Sequence, residues 1–553
     1  MIKKTRTIIL CGLFIIMAFL ATYPAFTAGY FKMTMDGQIH FIKFEAIAEA
    51  FKHFEMPPLV NFMGYGNVGE AFTGMYPWVT GMIFILPKLL IQQPVYALFC
   101  GFFLLNLITM SNSYLLTSEL TKNLYWRIFG VSLYEFNSYH MIVMYGRNAV
   151  GEMLAYAFLP LVFYGCIQIW NKKKLGIISL GLGMGMVVNS HAITALLACL
   201  VIFAIEFVRV ISRKITFKEI LAYIYAGIFA TITASYTLYN MLNLMLKNQL
   251  ATPWKGMLEI TPSVMWNAML DNDMGDKANA WNIGVVAFCV LIVLSVRIFQ
   301  TQFAAWKIWI GASLGLVLVS FSWLPYPDAL AQSFLGNIQF LGRLFSFVML
   351  FLMIGLVSYL DQYGMKISAK WSVILITTIM LILSMSGVKK YHITRNDDPI
   401  RYYVTNANYL TSLTERDSGW GDYMLIDENE QPVYTPGSDK IKIPVKIRKA
   451  TYQGIEYQIT SEKNQIASLP FIIYNGVKYK VTVNGKQQEV SAGQLLKVGV
   501  RTGKNIINVS TRPDVANYVL FTLTCISILI GSILVLLGGM NGGRKNVINA
   551  EKI

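Results

Sequence analysis

Apolar and polar positions fall in long alternating blocks along this chain. Apolar runs near the ~20 residues needed for a membrane-crossing helix begin close to residues 8, 95, 127, 152, 175, 192, 220, 281, 306, 344, 371 and 516. A shorter run covers residues 77–91. Segment 389–515 is different in kind, because period-two alternation in KIKIPVKI, GIEYQIT, KYKVTVNGKQQEV and KNIINVS predicts β-strands. Between two of these runs stands Asn484-Gly485, the pair that a two-residue type I′ hairpin requires. The expected fold is an α-helical polytopic membrane protein of about twelve transmembrane helices carrying an extracytoplasmic β-sandwich of roughly one hundred residues. The expected divisions are a membrane domain over 1–388 with a large first external loop at 30–94, a β-rich domain over 389–515, and a last span with a cytoplasmic tail over 516–553.

Charge gives the pattern a side. Lys3, Lys4 and Arg6, then Lys172, Lys173 and Lys174, then Arg209, Arg213, Lys214 and Lys218 flank apolar runs, and the positive-inside rule assigns all of them to the cytoplasm. That parity fails if residues 77–91 cross. The run is short and contains Pro87 and Lys88, so it is read as a helix lying in the outer leaflet or re-entering from it. Both termini are then cytoplasmic, and residues 7–28 form an uncleaved anchor. The apolar stretch 175–209 is broken by Asn189-Ser190-His191, which predicts two short helices meeting at the outer surface. The outside therefore holds 30–94, the turn 146–151, His191, 247–280, 324–343 and 389–515.

Composition agrees with a bilayer as the main solvent: of 553 residues 55% are hydrophobic and 14% charged, with mean hydropathy +0.50. The net charge of +16 is spread over loop ends, so it orients spans and gives no nucleic-acid surface. All six cysteines lie in apolar segments, which leaves the polar regions without a disulfide or a cysteine metal site. No GxxxxGK[ST] sequence occurs, so nucleotide hydrolysis has no basis.

The candidate chemistry is concentrated in the external segments. In MTMDGQIHFIKFEAIAEAF the pair Asp36-Gly37 predicts a turn, and helical spacing of Phe41, Phe44, Ile47, Ala48 and Phe51 predicts an amphipathic helix on the membrane surface. Asp36 has two readings, a helix cap or a general base held at the interface; spacing alone favours the cap. His40 follows one turn later and could share a divalent cation, Mg or Mn, with Asp36 or orient it, although a lone His at an interface is more often just solvated. Tyr65, Glu70, Tyr76, Pro77 and Trp78 suit either an interfacial aromatic belt or a sugar-stacking loop. In YGRNAVGE, Arg147 and Glu152 stand at the ends of apolar helices, where ionisable groups are paired or used. Arg343 in NIQFLGR, beside Gln339, lies at a matching depth, and with Arg147 and His191 it would suit a phosphate. Asp271, Asp273 and Asp276 in LDNDMGDK lack the closing Glu of a calcium loop and are read as a solvated acidic turn.

MDGQIH, the YG and MYPW stations, EFNSYHMIVMYGRNAVGEMLAYAFLPLVFYG, NSHAITALL and NIQFLGR, in that order, resemble the bacterial YfhO-like, 6-pyruvoyl-tetrahydropterin-synthase-related integral membrane proteins. The tail LPFIIYNGVKYKVTVNGKQQEV resembles their terminal β-module. Where relatives show a proline and an aromatic before the arginine, this chain has Leu341-Gly342. The resemblance implies a GT-C type glycosyltransferase that takes sugar from a polyprenyl-phosphate donor in the outer leaflet. It also implies Asp36 as catalytic base, and a cell-envelope glycopolymer or other glycan as acceptor. A Gram-positive cell membrane and teichoic acid glycosylation fit these expectations. GT-C enzymes often carry a second acidic residue two positions on, where this chain has Gln38. The rival readings are a lipid-linked sugar transporter or flippase and a non-catalytic envelope assembly protein.

Overall fold

The computed structural model describes residues 2–365, 368–394, 401–414, 421–435 and 440–541. The expected cytoplasmic tail and parts of segment 389–515 lie outside the described residues. Among the described residues, seven helices are long and apolar enough to cross a membrane: Thr7–Gly29, Pro94–Leu120, Val150–Trp170, Ala192–Ile211, Leu341–Tyr363, Ala369–Ile393 and Val515–Gly539. The pair Phe217–Thr233 and Ser235–Lys247, bent by 74°, makes an eighth if it counts as one span. Four further apolar helices, Val79–Leu90, Leu175–Val188, Val285–Gln300 and Ala305–Val319, are shorter. At ~1.5 Å per residue they reach about 18–24 Å, less than a ~30 Å hydrocarbon core. The run expected to start a span near 127 is broken into Leu124–Glu135, Ser138–Met141 and the π-helical turn Ile142–Gly146. Asn137 ends that continuity by accepting the His140 N–H at 2.9 Å and restarting the helix.

Helix Val150–Trp170 is buried along its whole length. Glycines let its neighbour Leu175–Val188 approach: a Cβ at Gly165 would stand 2.3 Å from the Leu180 nitrogen, and one at Gly183 would stand 2.8 Å from that of Val162. Peripheral helices instead turn large apolar side chains outward, among them Ile8, Phe203 and Leu529. Such a wide apolar exterior defines a membrane protein.

The helix after Asp36, Met35–Lys52, departs from the expected amphipathic surface helix. Ile39, Phe41, Ile42, Phe44, Ile47 and Ala48 are all buried, as are the polar Gln38, His40 and Lys43. The helix packs on Met82–Leu90, with Glu45 ion-paired to Lys88 at 3.1 Å. Strand Phe31–Thr34 pairs antiparallel with Arg401–Val404 and ties this segment to the C-terminal region.

The C-terminal region is β-rich. Among the described residues a five-stranded sheet runs in the order Val445–Thr451, Gly454–Ser461, Gly503–Arg512, Lys478–Val483, Lys486–Gln488. Gln465–Ile473 pairs separately with Gln494–Val500. Asn484 and Gly485 take φ of 49° and 79°, as a type I′ hairpin requires. In KIKIPVKI the strand begins only at Val445, after Pro444, which has no N–H to give to a ladder. Val60, Phe62, Val68, Ala71 and Met75 of the first external segment share a core with Tyr457, Phe471 and Ile507 of this region. Phe62 stacks on Phe471 at 5.6 Å, and the Ile472 N–H donates to the Val68 carbonyl at 2.8 Å.

Candidate functional site

Thr34, not Asp36, caps helix Met35–Lys52: its hydroxyl accepts the Gly37 N–H at 3.2 Å. The expected turn at Asp36-Gly37 is instead the first turn of this helix. With the cap position filled, the Asp36 carboxylate pairs with Arg147, Oδ2 to Nε at 3.2 Å. The turn after Gly146 holds the two together. Thr34 N–H donates to Asn148 Oδ1 at 2.8 Å, and the Thr34 hydroxyl donates to the Arg147 carbonyl. Asn148, at φ 51°, also donates from Nδ2 to the Met144 and Tyr145 carbonyls at 2.9 and 3.2 Å. Bare backbone is needed all around this turn. A Cβ at Gly37 would meet Asn148 Oδ1 at 2.9 Å, one at Gly146 the Met274 carbonyl oxygen at 2.1 Å, and one at Gly151 the Tyr76 hydroxyl at 2.4 Å.

Glu152 lies behind the two arginines, its side chain 3% exposed. One oxygen accepts from the Tyr139 hydroxyl, while the other is 3.6 Å from Arg147 Nη1 and 3.4 Å from Arg343 Nε. Arg343 Nη1 donates to the Ile338 carbonyl at 2.8 Å and to Gln339 Oε1 at 2.9 Å. Both guanidinium groups lie against the Phe340 ring, 4.7 and 5.2 Å from its centroid, and Arg147 also lies against Trp281 at 5.0 Å. Two like charges are thus held close by a shared buried carboxylate and a shared aromatic face.

These groups open into a cavity of about 530 Å³, within the usual range for small-ligand sites. Asp36, His40, Tyr76, Arg147, His191, Gln339 and Arg343 all line it. His191 caps helix Ala192–Ile211: Nδ1 lies 2.8 Å from the Thr194 hydroxyl and accepts the Thr194 N–H at 3.4 Å, which leaves the proton on Nε2. Burial, reinforced by Arg343, pushes its pKa down to about 3, so His191 is a neutral donor and not a third cation. His40 is likewise driven well below the usual range by burial and then by Lys43, and its ring meets Tyr76 edge-on at 4.7 Å.

Glu70 does not line the cavity. It is fully buried, and neither carboxylate oxygen has a hydrogen-bond partner among the described residues. Burial, followed by the charge of Asp422, raises its pKa to about 8. The aromatic-belt reading fails for Tyr65 and Trp78, which are buried in protein: the Tyr65 hydroxyl donates to the Ile39 carbonyl at 2.5 Å, and Trp78 packs on Tyr236 and Phe521. Asp276 is not simply solvated. It lines the cavity and accepts the Trp281 Nε1–H at 3.2 Å. Further lining residues unmarked by the sequence reading are Trp254, Trp281, Phe340, Asp422 and Tyr423. Aromatic residues within polar, glycine-bearing stretches, as in TPWKG and GDYM, were the available signal.

Among the described residues no three His, Cys, Asp or Glu side chains converge as a metal-ligand set. Asp36 is engaged by Arg147, and the His40 ring meets Tyr76. The pair of fixed guanidiniums is suited to an anion.

The fold and cavity define a helical membrane protein with a C-terminal β-rich region and one polar site built from both. No protein-family model matches the chain, and no curated protein is similar to it.

Proposed function

We propose that this protein is a GT-C type membrane glycosyltransferase of the YfhO-like kind. It moves a sugar from a polyprenyl-phosphate donor to a glycan acceptor on the extracytoplasmic face of the cell membrane. The observation that carries the reading is the meeting of Asp36, Arg147, His191 and Arg343 in one cavity, although they are far apart in the chain. Two guanidiniums and a neutral imidazole N–H suit a phosphate, and a carboxylate 3.2 Å from one of those guanidiniums suits a base beside it.

In the transfer, the acceptor oxygen forms a bond to the anomeric carbon as the bond from that carbon to the phosphate oxygen breaks. The acceptor proton passes to Asp36, and negative charge develops on the departing lipid phosphate, where Arg147 and Arg343 are already fixed. The donor phosphate competes with Asp36 for Arg147, so donor binding frees the carboxylate to accept the hydroxyl proton. Glu152, Gln339, Tyr76 and His40 position these groups. Topologically the reading takes twelve crossings, with both termini inside. The bent pair, the broken segment 124–146 and the shorter Leu175–Val188, Val285–Gln300 and Ala305–Val319, around which the bilayer thins locally, cross with the seven long helices, and Val79–Leu90 stays in the outer leaflet. The β-rich region is then an external sandwich.

The test is transfer from radiolabelled polyprenyl-phosphate sugars in membranes carrying the full chain. Asp36→Asn is expected to lower transfer by about a hundredfold or more while the protein stays inserted. Full activity in that variant would end the base assignment.

A further inference from the structure

Part of the cavity is left unused by the phosphate and base chemistry. Its rim is formed by two segments that hydrogen-bond to each other like strands: Ala251 N–H to the Met424 carbonyl at 2.8 Å, Tyr423 N–H to that of Ala251 at 3.0 Å, and Ile426 N–H to that of Gln249 at 3.1 Å. This pairing ties the segment leading to Trp254 to the one carrying Asp422 and Tyr423, and all three residues line the cavity. Tyr423 is held at φ 65°, a conformation uncommon for a bulky residue and typical of places where a side chain is aimed for use. Trp254 is 55% exposed even though it lies at a cavity wall, and its ring folds over Gly256, where a Cβ would stand 2.0 Å from it.

The platform is coupled to the anion site. Gln339 donates from Nε2 to the Trp254 carbonyl at 2.5 Å and accepts from Arg343 through Oε1 at 2.9 Å. A single side chain therefore links the backbone of the partly exposed Trp254 to the Arg343 guanidinium, with Asp422 lining the same cavity. A pyranose ring has the matching chemistry, with an apolar C–H face that stacks on an aromatic ring and hydroxyls that donate to a carboxylate.

We infer that Trp254, Asp422 and Tyr423 form a subsite for a neutral pyranose ring, two of its three residues being supplied from the chain leading into the C-terminal β-rich region. This deepens the transfer reading and rests on it for what the ring is part of. Binding itself is measurable without turnover.

The experiment is saturation-transfer NMR on the full chain in detergent, with methyl glucoside, methyl galactoside and methyl N-acetylglucosaminide as probes and phosphorus NMR of inorganic phosphate alongside. The expected result is saturation of pyranose C–H protons by wild type, reduced about tenfold in Trp254→Ala and in the isosteric Asp422→Asn, with phosphate binding retained in both. Saturating geranyl-phosphate hexose separates the sources: displacement of the glycoside assigns the ring to the donor, and simultaneous binding assigns it to the acceptor. Absence of glycoside signal, undiminished wild-type signal in both variants, or binding of choline in place of glycosides would overturn the subsite. If polyprenyl-phosphate sugars show no transfer, the proposed activity falls while a positive glycoside result still stands.

Discussion

At the scale of single residues, the site rests on one buried carboxylate serving two guanidiniums. Removing the Glu152 charge leaves Arg343 without a carboxylate partner and Arg147 with Asp36 alone, so Glu152→Gln is expected to destabilise the fold by about 3–5 kcal/mol, measured as a fall in Tm for the detergent-purified chain. The buried titratable groups give opposite pH signatures. His191, with its pKa near 3 in the fold, binds fewer protons folded than unfolded between about 3 and its ordinary 6.5. Its contribution is complete above 6.5 and is lost as pH falls toward 3. His191→Asn keeps a capping acceptor and should flatten that acid limb in a Tm-against-pH series. Glu70, with its pKa near 8, has the reverse sign: stability is full below its ordinary 4.5 and is lost as pH rises toward 8. Glu70→Gln, which copies the protonated form, should flatten the alkaline limb. Arg147, Glu152 and Arg343 were legible in the sequence because ionisable residues are conspicuous among apolar neighbours. Trp254 and Asp422 were not, because polar loops hold such residues for many reasons.

At the scale of elements, the YGRNAVGE turn is where the site is assembled, and its glycines are contact points. Gly146→Ala would set a methyl group against the Met274 backbone, which cannot rotate away, and would push the 271–278 loop with Asp276 off the cavity. A loss of about 1–3 kcal/mol is expected, together with weaker sugar transfer. Gly227→Ala is the control. Nothing lies within 4 Å of its added Cβ, so its effect should stay within about 1 kcal/mol. The hairpin at Asn484-Gly485 was readable because a type I′ turn imposes its own residues. The strand Gln465–Ile473 was not, since a continuous apolar run such as SLPFII does not alternate.

At the scale of the whole molecule, the β-rich region is built into the membrane part. It shares a core with residues 60–75, pairs Arg401–Val404 with Phe31–Thr34, and shares its cavity-lining lead-in with residues 249–254. Deleting residues 400–510 would uncover Phe62 and Val68 and remove Asp422 and Tyr423. The truncated chain is therefore expected to lose both folding yield and transfer, read by size-exclusion profile and membrane assay. Phe471→Ala, which empties the ring stacked on Phe62, tests the same junction in the intact chain and should lower stability by about 3–5 kcal/mol.

The sequence by itself determined the solvent, the mostly helical build, the β-rich end and which charged residues stand out among apolar neighbours. Hydropathy, strand alternation and charges stranded in apolar runs are local quantities, and a chain displays them without being folded. Only the tertiary structure decided that residues 37–48 of helix Met35–Lys52 are buried, that Thr34 and not Asp36 is the cap, and that Glu152 serves both arginines. The same holds for the second cavity wall around Trp254 and Asp422. Those outcomes depend on which distant backbones approach closely, and such approaches are set by packing across the whole molecule.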